Sequence, residues 1–267
     1  MVIFLLGADD PEMKAMADLL TARHHDVRFA EVNKKRAHAG NAYEADPLEL
    51  TRGEMLICIE CRPTFIPTGV NLVVIDHHRP GDPGWNKGPK EYWEASSIGQ
   101  LHRLLDMTPT QEARVIAAMD HCFPAAIRGE CPGVTPEEVI DRKVHSIALT
   151  HQVSKATTYE VIERYRALIR ASAAVQIGHA TVADMRTTYL GIGYSLELLT
   201  AQVAAAIENM PVLLCGRNQA NDPKRITLYG ADSETITVFI SSWACNHGLT
   251  RVYGVPSRGY AGGLVKE

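Results

Sequence analysis

Short apolar runs alternate with polar stretches along the first third of the chain. The strand-length runs lie at residues 2–6, 26–32, 55–59 and 71–75. After the first run, apolar residues recur with a period near 3.6 and predict a helix over residues 13–20. Strands separated by helical or long connections are typical of a parallel sheet. The pattern therefore predicts an α/β domain with a parallel sheet at the N-terminus.

In the later part of the chain the pattern of apolar residues changes, and helical patterns become more frequent. Helical patterns lie at residues 96–105, 110–119, 135–153, 157–174 and 196–208, and strand patterns lie at 176–193, 211–215, 225–229 and 251–255. Residues 233–247 favour a helix, although 235–238 alone also suits a strand. We predict an N-terminal domain over 1–155, a connector helix over 156–176 and a smaller α/β domain over 177–267.

Composition narrows the classes of function. The chain has 267 residues, 46% of them hydrophobic, and a net charge of -4, which argues against a broad basic surface for long nucleic acid. No apolar run reaches the roughly 18 residues of a membrane span. The N-terminal apolar run has no basic region before it and suits a strand better than a signal peptide. Six scattered cysteines agree with a reducing compartment, so we expect a cytoplasmic protein.

Metal-type side chains follow several of the predicted strands. Asp76-His77-His78 follows one strand, Glu60 follows another, and Asp10 and Glu12 follow the first. Open α/β sheets bind ligands at the carboxyl ends of their strands. A polar turn is the plainer interpretation of a lone His-His pair, but the other acids favour a metal site. Asp10 is also suited to cap a helix with Pro11 at its first position, and the two roles compete.

The order of these motifs resembles the DHH phosphoesterase superfamily, which includes manganese pyrophosphatases, single-strand exonucleases, oligoribonucleases and cyclic-dinucleotide phosphodiesterases. The matching segments are Asp76-His77-His78, Glu94-Ala95-Ser96-Ser97, Asp120 and Gly259-Tyr260-Ala261-Gly262-Gly263. The first family motif is altered, because Leu6 stands where the family has His and Glu12 where it has Asp. Glu60 replaces the strand-end Asp of the second motif.

The resemblance implies one well-formed metal site and one weak or absent site. It assigns Glu12, Glu60, His77 and Asp120 to the first ion, and leaves Asp10 and Glu60 for the second, which loses its His to Leu6. We also count Asp76 among the metal-binding and catalytic residues. Mn²⁺ is the ion we expect, as one or two ions, with Mg²⁺, Fe²⁺ and Zn²⁺ as alternatives.

The resemblance also implies a substrate site. His78 is the candidate to orient or protonate a phosphoryl group. The candidates for substrate binding are Arg79, Arg128, Arg258, Gly259, Tyr260, Gly262 and Gly263, the last four in a glycine-rich loop whose N–H groups would approach phosphate.

The expected function is metal-dependent hydrolysis of a phosphoric ester or anhydride in a small nucleotide, dinucleotide or related metabolite, in a cleft between two domains. A non-hydrolytic nucleotide-binding protein on the same fold is the alternative. A single-metal enzyme that does not act on phosphate stays open as a third hypothesis. A small phosphorylated partner is expected, without long nucleic acid or membrane, and a homodimer is compatible with the sequence.

Overall fold

The structure is a computed structural model that describes residues 1–38, 40–188, 190–191, 194–217 and 223–266. The chain forms two compact units. The first unit comprises Met1–Lys87 and Glu91–His121, and the second comprises Gly88–Lys90 and Cys122–Glu267. None of the helices in the described ranges has the length and apolar character needed to cross a lipid bilayer.

A parallel sheet organises the first unit. The strands there are β1 Val2–Leu6, β2 Asp26–Phe29, β3 Glu31–Val32, β4 Lys35–Arg36, β5 Met55–Ile59 and β6 Asn71–Ile75. The sheet has the order β2-β1-β5-β6, and all of its pairs are parallel. Leu6 is in register with Ile59, and Ile59 is in register with Ile75. The carboxyl ends of β1, β5 and β6 therefore lie level at one edge.

Helices follow these strands. The helices are α1 Pro11–Ala22, α2 Tyr92–Ala95, α3 Ser97–Leu104 and α4 Gln111–Ile127, of which α4 continues into the second unit. Asp10 accepts a hydrogen bond from the Met13 N–H at 2.8 Å and caps α1, while Ser96 caps α3. The buried face of α1 includes Glu12 beside apolar residues.

Helix α4 is broken directly after His121. Cys122 has non-helical angles (φ -153°, ψ 52°), and Pro124 follows two residues later. Proline lacks the N–H of a helical bond and its ring clashes with the carbonyl four residues earlier, here that of Asp120. The predicted helix over 110–119 is thus longer than expected and divides at this point.

A mixed sheet forms the second unit. Its strands are β7 Ala174–Ile177, β8 Ala180–Met185, β9 Val212–Gly216, β10 Arg225–Tyr229, β11 Leu249–Val255 and β12 Tyr260–Val265, in the order β11-β12-β10-β9-β8-β7. Only the β8–β9 pair among these described strands is parallel. The helices are α5 Pro136–His151, α6 Lys155–Ala171, α7 Tyr194–Ile207, α8 Ser233–Val238 and α9 Ala244–Asn246, with a π-helical turn, Phe239–Trp243, between the last two.

The predicted α/β class, with a parallel N-terminal sheet, is confirmed. Residues 235–238 are helical, so the strand alternative for them is wrong. The strand predicted over 26–32 is divided, because β2 ends at Phe29 and β3 turns away to pair with β4. Asn33 and Lys34 form the connecting turn with φ of 53° and 59°. Two successive positive φ angles are the geometry of a tight hairpin turn.

The compact units divide elsewhere than the predicted domains. The helix expected to act as a connector is α6, which packs against α5, α7 and β8 inside the second unit. The units divide after His121, and the second unit is the longer one. The ranges 1–155, 156–176 and 177–267 stay a prediction about domains.

The glycine-rich segment near the C-terminus is mostly strand. Residues 260–263 belong to β12, which pairs with β10 and β11 on its two sides, so the prediction of a loop there is wrong. A Cβ on Gly262 would lie 2.5 Å from the Tyr253 hydroxyl oxygen, and one on Gly263 would lie 3.0 Å from the Leu249 Cβ. Packing of neighbouring side chains over the strand explains both glycines. Gly259 alone of this segment has a left-handed φ, at 71°.

Candidate metal centre

Four side chains of the first unit meet at the carboxyl edge of its sheet. Glu12 follows β1, Glu60 follows β5, His77 follows β6, and Asp120 comes from α4. One ligand-type atom from each of the four lies within 4.8 Å of the others. His77 Nε2 lies 3.4 Å from Glu60 Oε1 and 3.2 Å from Asp120 Oδ2. We call this set the four-residue cluster. It is the set that the family resemblance assigned to one ion.

Glu60 occupies a strained backbone position. Its φ is 51°, in the left-handed region that non-glycine residues rarely adopt. The end of β1 passes so close that a Cβ on Gly7 would lie 2.4 Å from the Glu60 carbonyl oxygen. Ser97 Oγ donates to Glu60 Oε1 at 2.7 Å and fixes the carboxylate. Strain of this kind is concentrated at functional sites.

The surroundings of the Glu12 carboxylate show whether this site fits a cation. The side chain is buried, and its Oε1 accepts a hydrogen bond from the Ile98 N–H, at the start of α3, at 3.0 Å. Its Oε2 is buried and receives no hydrogen bond from the described part of the chain. Burying a carboxylate oxygen without a donor or a cation is costly. Glu12 therefore fits a ligand of a metal ion.

The electrostatics of the site also favour a cation. Burial, together with the charges of Asp120 and Glu60, raises the pKa of Glu12 well above its ordinary value. Burial and the same two neighbours raise the pKa of Asp10 to about 8. Burial opposes ionisation of Glu60 as well, but His78 and His77 hold its pKa below the ordinary value. A divalent ion would neutralise this concentration of carboxylates.

His77 is held in place from two sides. It is fully buried, and a Cβ on Gly84 would lie 2.7 Å from the His77 Cβ, so only glycine fits there. Its Nδ1 lies 2.9 Å from Nδ1 of His121, whose Nε2 lies 3.0 Å from the Lys87 carbonyl oxygen. His121 was not predicted as a site residue. The only signal in the sequence was its position next to Asp120.

Asp76 lies outside the four-residue cluster. Its Oδ1 accepts from the His77 N–H at 2.7 Å and the His78 N–H at 3.0 Å, and it lies 3.0 Å from His78 Nδ1. Its Oδ2 accepts from the Tyr43 hydroxyl at 2.8 Å. Burial opposes ionisation, but the bonds from His78 and Tyr43 hold the pKa of Asp76 below its ordinary value. The geometry gives Asp76 the role of holding His78, and its metal role stays a prediction.

Two further residues that were not predicted support this strand end. The Gln100 side chain accepts from the Asp76 N–H at 3.3 Å and donates to the Asp76 carbonyl at 2.9 Å and the Ala95 carbonyl at 2.7 Å. The Tyr43 ring lies under the Arg79 guanidinium, whose central carbon is 3.3 Å from the ring centroid. The contact of Gln100 with Asp76 and that of Tyr43 with Arg79 have no local sequence signal, because each joins segments distant in the chain.

The position at which the DHH resemblance would place a His is apolar in the structure. Leu6 is fully buried and offers no ligand atom. Arg36 Nη1 donates to the Leu6 carbonyl at 3.1 Å, so a cation covers this strand end. Asp10 caps α1, and its predicted metal role stays a prediction.

Glu60, His77 and His78 form a second group of ligand-type atoms. It shares Glu60 and His77 with the four-residue cluster, so the two groups are adjacent.

The predicted substrate-binding residues fall into three places. Arg128, Arg258 and Gly259 line a cavity of about 570 Å³ in the second unit. Arg128 is paired there with Glu130 at 2.5 Å. Arg79 lies in the first unit against Tyr43. Tyr260, Gly262 and Gly263 lie in β12. Their roles in binding stay predictions.

Comparisons with known proteins add little to this site. No family model matches the chain, and no curated protein matches its sequence. Among solved structures, one described as "pGpG-specific phosphodiesterase - PggH from Vibrio cholrae" is similar, with a TM-score of 0.37 and 11% sequence identity. The alignment covers 99% of this chain and 92% of that one. At that TM-score the likeness carries no argument about function.

Proposed function

We propose that this chain is a metal-dependent phosphoesterase acting on a small nucleotide, dinucleotide or related phosphorylated metabolite. The observation that carries the proposal is the four-residue cluster, with its buried Glu12 oxygen, beside an Asp-His-His triplet. Three carboxylates and one imidazole are a ligand set suited to Mn²⁺, Fe²⁺ or Zn²⁺. Mn²⁺ is the first choice, because oxygen ligands predominate.

Glu12, Glu60, His77 and Asp120 would be the ligands that hold the ion. A divalent ion at such a site lowers the pKa of bound water and offsets the charge of phosphoryl oxygens. The single imidazole of the cluster and the buried Leu6 favour one ion over two. One ion is sufficient for both of these effects.

The surroundings of His78 support a role in proton transfer. Its Nδ1 lies 3.0 Å from the Asp76 carboxylate, which accepts, so Nδ1 carries a proton and Nε2 is the atom left to act on substrate. The side chain is partly exposed, unlike His77. An imidazole oriented by a carboxylate is a common general acid or base. We propose that His78 protonates the leaving oxygen or hydrogen-bonds the phosphoryl group.

A nucleotide-binding protein without hydrolytic activity is the second candidate. The observation in its favour is that Leu6 removes the ligand atom of the first family motif. A one-ion site lacks the second ion that would clamp the leaving oxygen. Binding of nucleotide without turnover would distinguish this candidate from the first.

Hydrolysis of bis(p-nitrophenyl) phosphate and of linear dinucleotides, with and without Mn²⁺, tests the proposal. We expect Mn²⁺-dependent turnover that His77→Ala abolishes. The matched control is His145→Ala, because His145 is exposed on α5 and lies outside the cluster. Elemental analysis of the purified protein should give close to one ion per chain. Turnover unaffected by His77→Ala, or by chelation of metal, contradicts the proposal. Bound nucleotide with no turnover supports the second candidate.

A further inference from the structure

His77 and His121 form a buried chain of two imidazoles behind the metal centre. The two Nδ1 atoms lie 2.9 Å apart, and both side chains are buried. The far nitrogen of His121, Nε2, lies 3.0 Å from the Lys87 carbonyl oxygen. All three residues belong to the first unit. The two imidazoles therefore connect a backbone carbonyl to the centre of the four-residue cluster.

The Lys87 carbonyl fixes the direction of this chain. A carbonyl oxygen only accepts, so His121 Nε2 must carry the proton of that bond. Only one proton can lie between the two Nδ1 atoms. For His77 to bind a metal through Nε2, that proton must sit on His77 Nδ1, and His121 Nδ1 must accept it. The lone pair of His77 Nε2 then faces Glu60 and Asp120, at 3.4 Å and 3.2 Å.

We infer that His121 is a positioning residue of the metal centre, which selects the His77 tautomer with its lone pair on Nε2 and holds that ring in the orientation for binding the ion. The inference rests on the metal centre of the proposed function. Metal-binding histidines commonly donate their second N–H to a carboxylate, carbonyl or water. Here a second imidazole performs that role, and a loop carbonyl orients it in turn.

The local sequence explains how His121 reaches this place. It directly follows Asp120, one of the cluster acids, and the helix is broken at the next residue, Cys122. Lys87 lies at the end of the Pro/Gly-rich loop after β6. One short segment therefore supplies both an acidic ligand and the residue that orients the histidine ligand.

Two substitutions at His121 separate positioning from filling of space. His121→Phe keeps a ring but removes the acceptor, whereas the amide of His121→Gln offers one acceptor and one donor. Loss of such an outer partner costs about 10–100-fold in metal affinity. With Mn²⁺ alone as the probe, we expect the dissociation constant to rise by about 10–100-fold in His121→Phe and by less than about threefold in His121→Gln. If Phe binds as the wild type does, or Gln binds as weakly as Phe, the inference is wrong.

Imidazole nitrogen NMR on the Zn²⁺-loaded wild type gives a readout that does not depend on activity or on the folding of a variant. We expect protons on His77 Nδ1 and His121 Nε2, with His121 Nδ1 bare. A proton on His121 Nδ1 overturns the inference. Wild type that binds Mn²⁺ without hydrolysing any phosphodiester contradicts the proposed function. In that case the Mn²⁺ dissociation constants of the two variants still test the role of His121. Wild type that binds no Mn²⁺ overturns both.

Discussion

The polar end of the first sheet and the glycine-rich edge of the second sheet are built on different strand arrangements. In the first unit, β1, β5 and β6 run parallel and end level, so residues that follow different strands meet at one edge. In the second unit most pairs are antiparallel, and successive strand ends lie at opposite edges. There Gly262 and Gly263 lie inside a paired strand. A motif at the end of a parallel strand therefore indicates a site more directly than a motif of similar length in an antiparallel sheet.

The largest expected effect is that of Glu12→Gln. We expect Mn²⁺ affinity to fall at least about 100-fold, because removing one partner of a buried charged pair costs about 3–5 kcal/mol. The metal-free variant should be as heat-stable as wild type or more so, since a neutral amide carries a smaller burial cost than a carboxylate. Calorimetric titration and thermal melts of both forms measure the two effects. Asp18→Asn, exposed on the same helix, is the control and should change neither. Unchanged affinity in Glu12→Gln would remove Glu12 from the centre.

The first unit could be predicted further than the second for a physical reason. Buried parallel strands are continuous apolar runs, so β1, β5 and β6 are visible locally and their ends place Glu60 and His77. Tyr43, Gln100 and His121 could not be predicted, because each acts through a partner at least 24 residues away. The prediction of a loop at Gly262 was wrong because sheet pairing, which is not visible locally, brings Tyr253 close to this glycine. Local pattern does not distinguish a glycine needed for packing from one needed for phosphate.

The acidic edge should also give the metal-free protein an unusual pH dependence. The pKa of Asp10 is about 8 in the folded protein, against 3.8 for an ordinary Asp. Between these values the folded state binds more protons than the unfolded state, so the free energy of unfolding falls as pH rises. We expect the melting temperature of metal-free protein to drop by several degrees from pH 5 to pH 8. Saturating Mn²⁺ should reverse the trend, since binding releases protons.

Asp10→Asn is the matched control for that pH dependence. Asn caps helices about as well as Asp, so α1 keeps its cap while the titrating group is removed. Scanning calorimetry across the same pH range should show a flatter profile in the variant. If the melting temperature of the variant depends on pH as strongly as that of the wild type, Asp10 is not the cause of the pH dependence.

Gly262→Ala examines the other side of the comparison. The added methyl group would meet the Tyr253 ring, so we expect the free energy of unfolding to fall by about 1–3 kcal/mol. Mn²⁺ affinity should stay unchanged. Adding Tyr253→Ala should recover part of the loss, because it removes the group that the methyl meets. A raised KM with unchanged stability would instead favour the predicted contact with substrate phosphate. Chemical denaturation of the two single variants and the double variant measures this.

Ser97→Ala is the mildest test of the acidic edge. Its hydroxyl donates to Glu60 Oε1 at 2.7 Å, while the neighbouring Ser96 hydroxyl caps α3 and donates to the Trp93 carbonyl. Removing an outer partner of a ligand should weaken Mn²⁺ binding about tenfold. Ser96→Ala should instead cost about 1 kcal/mol of stability and leave the affinity nearly unchanged. Equal loss of affinity in the two variants would mean that α3 positions the centre as a whole, through the Ile98 N–H on Glu12. Loss in Ser97→Ala alone would mean that the orientation of the Glu60 carboxylate is the limiting feature.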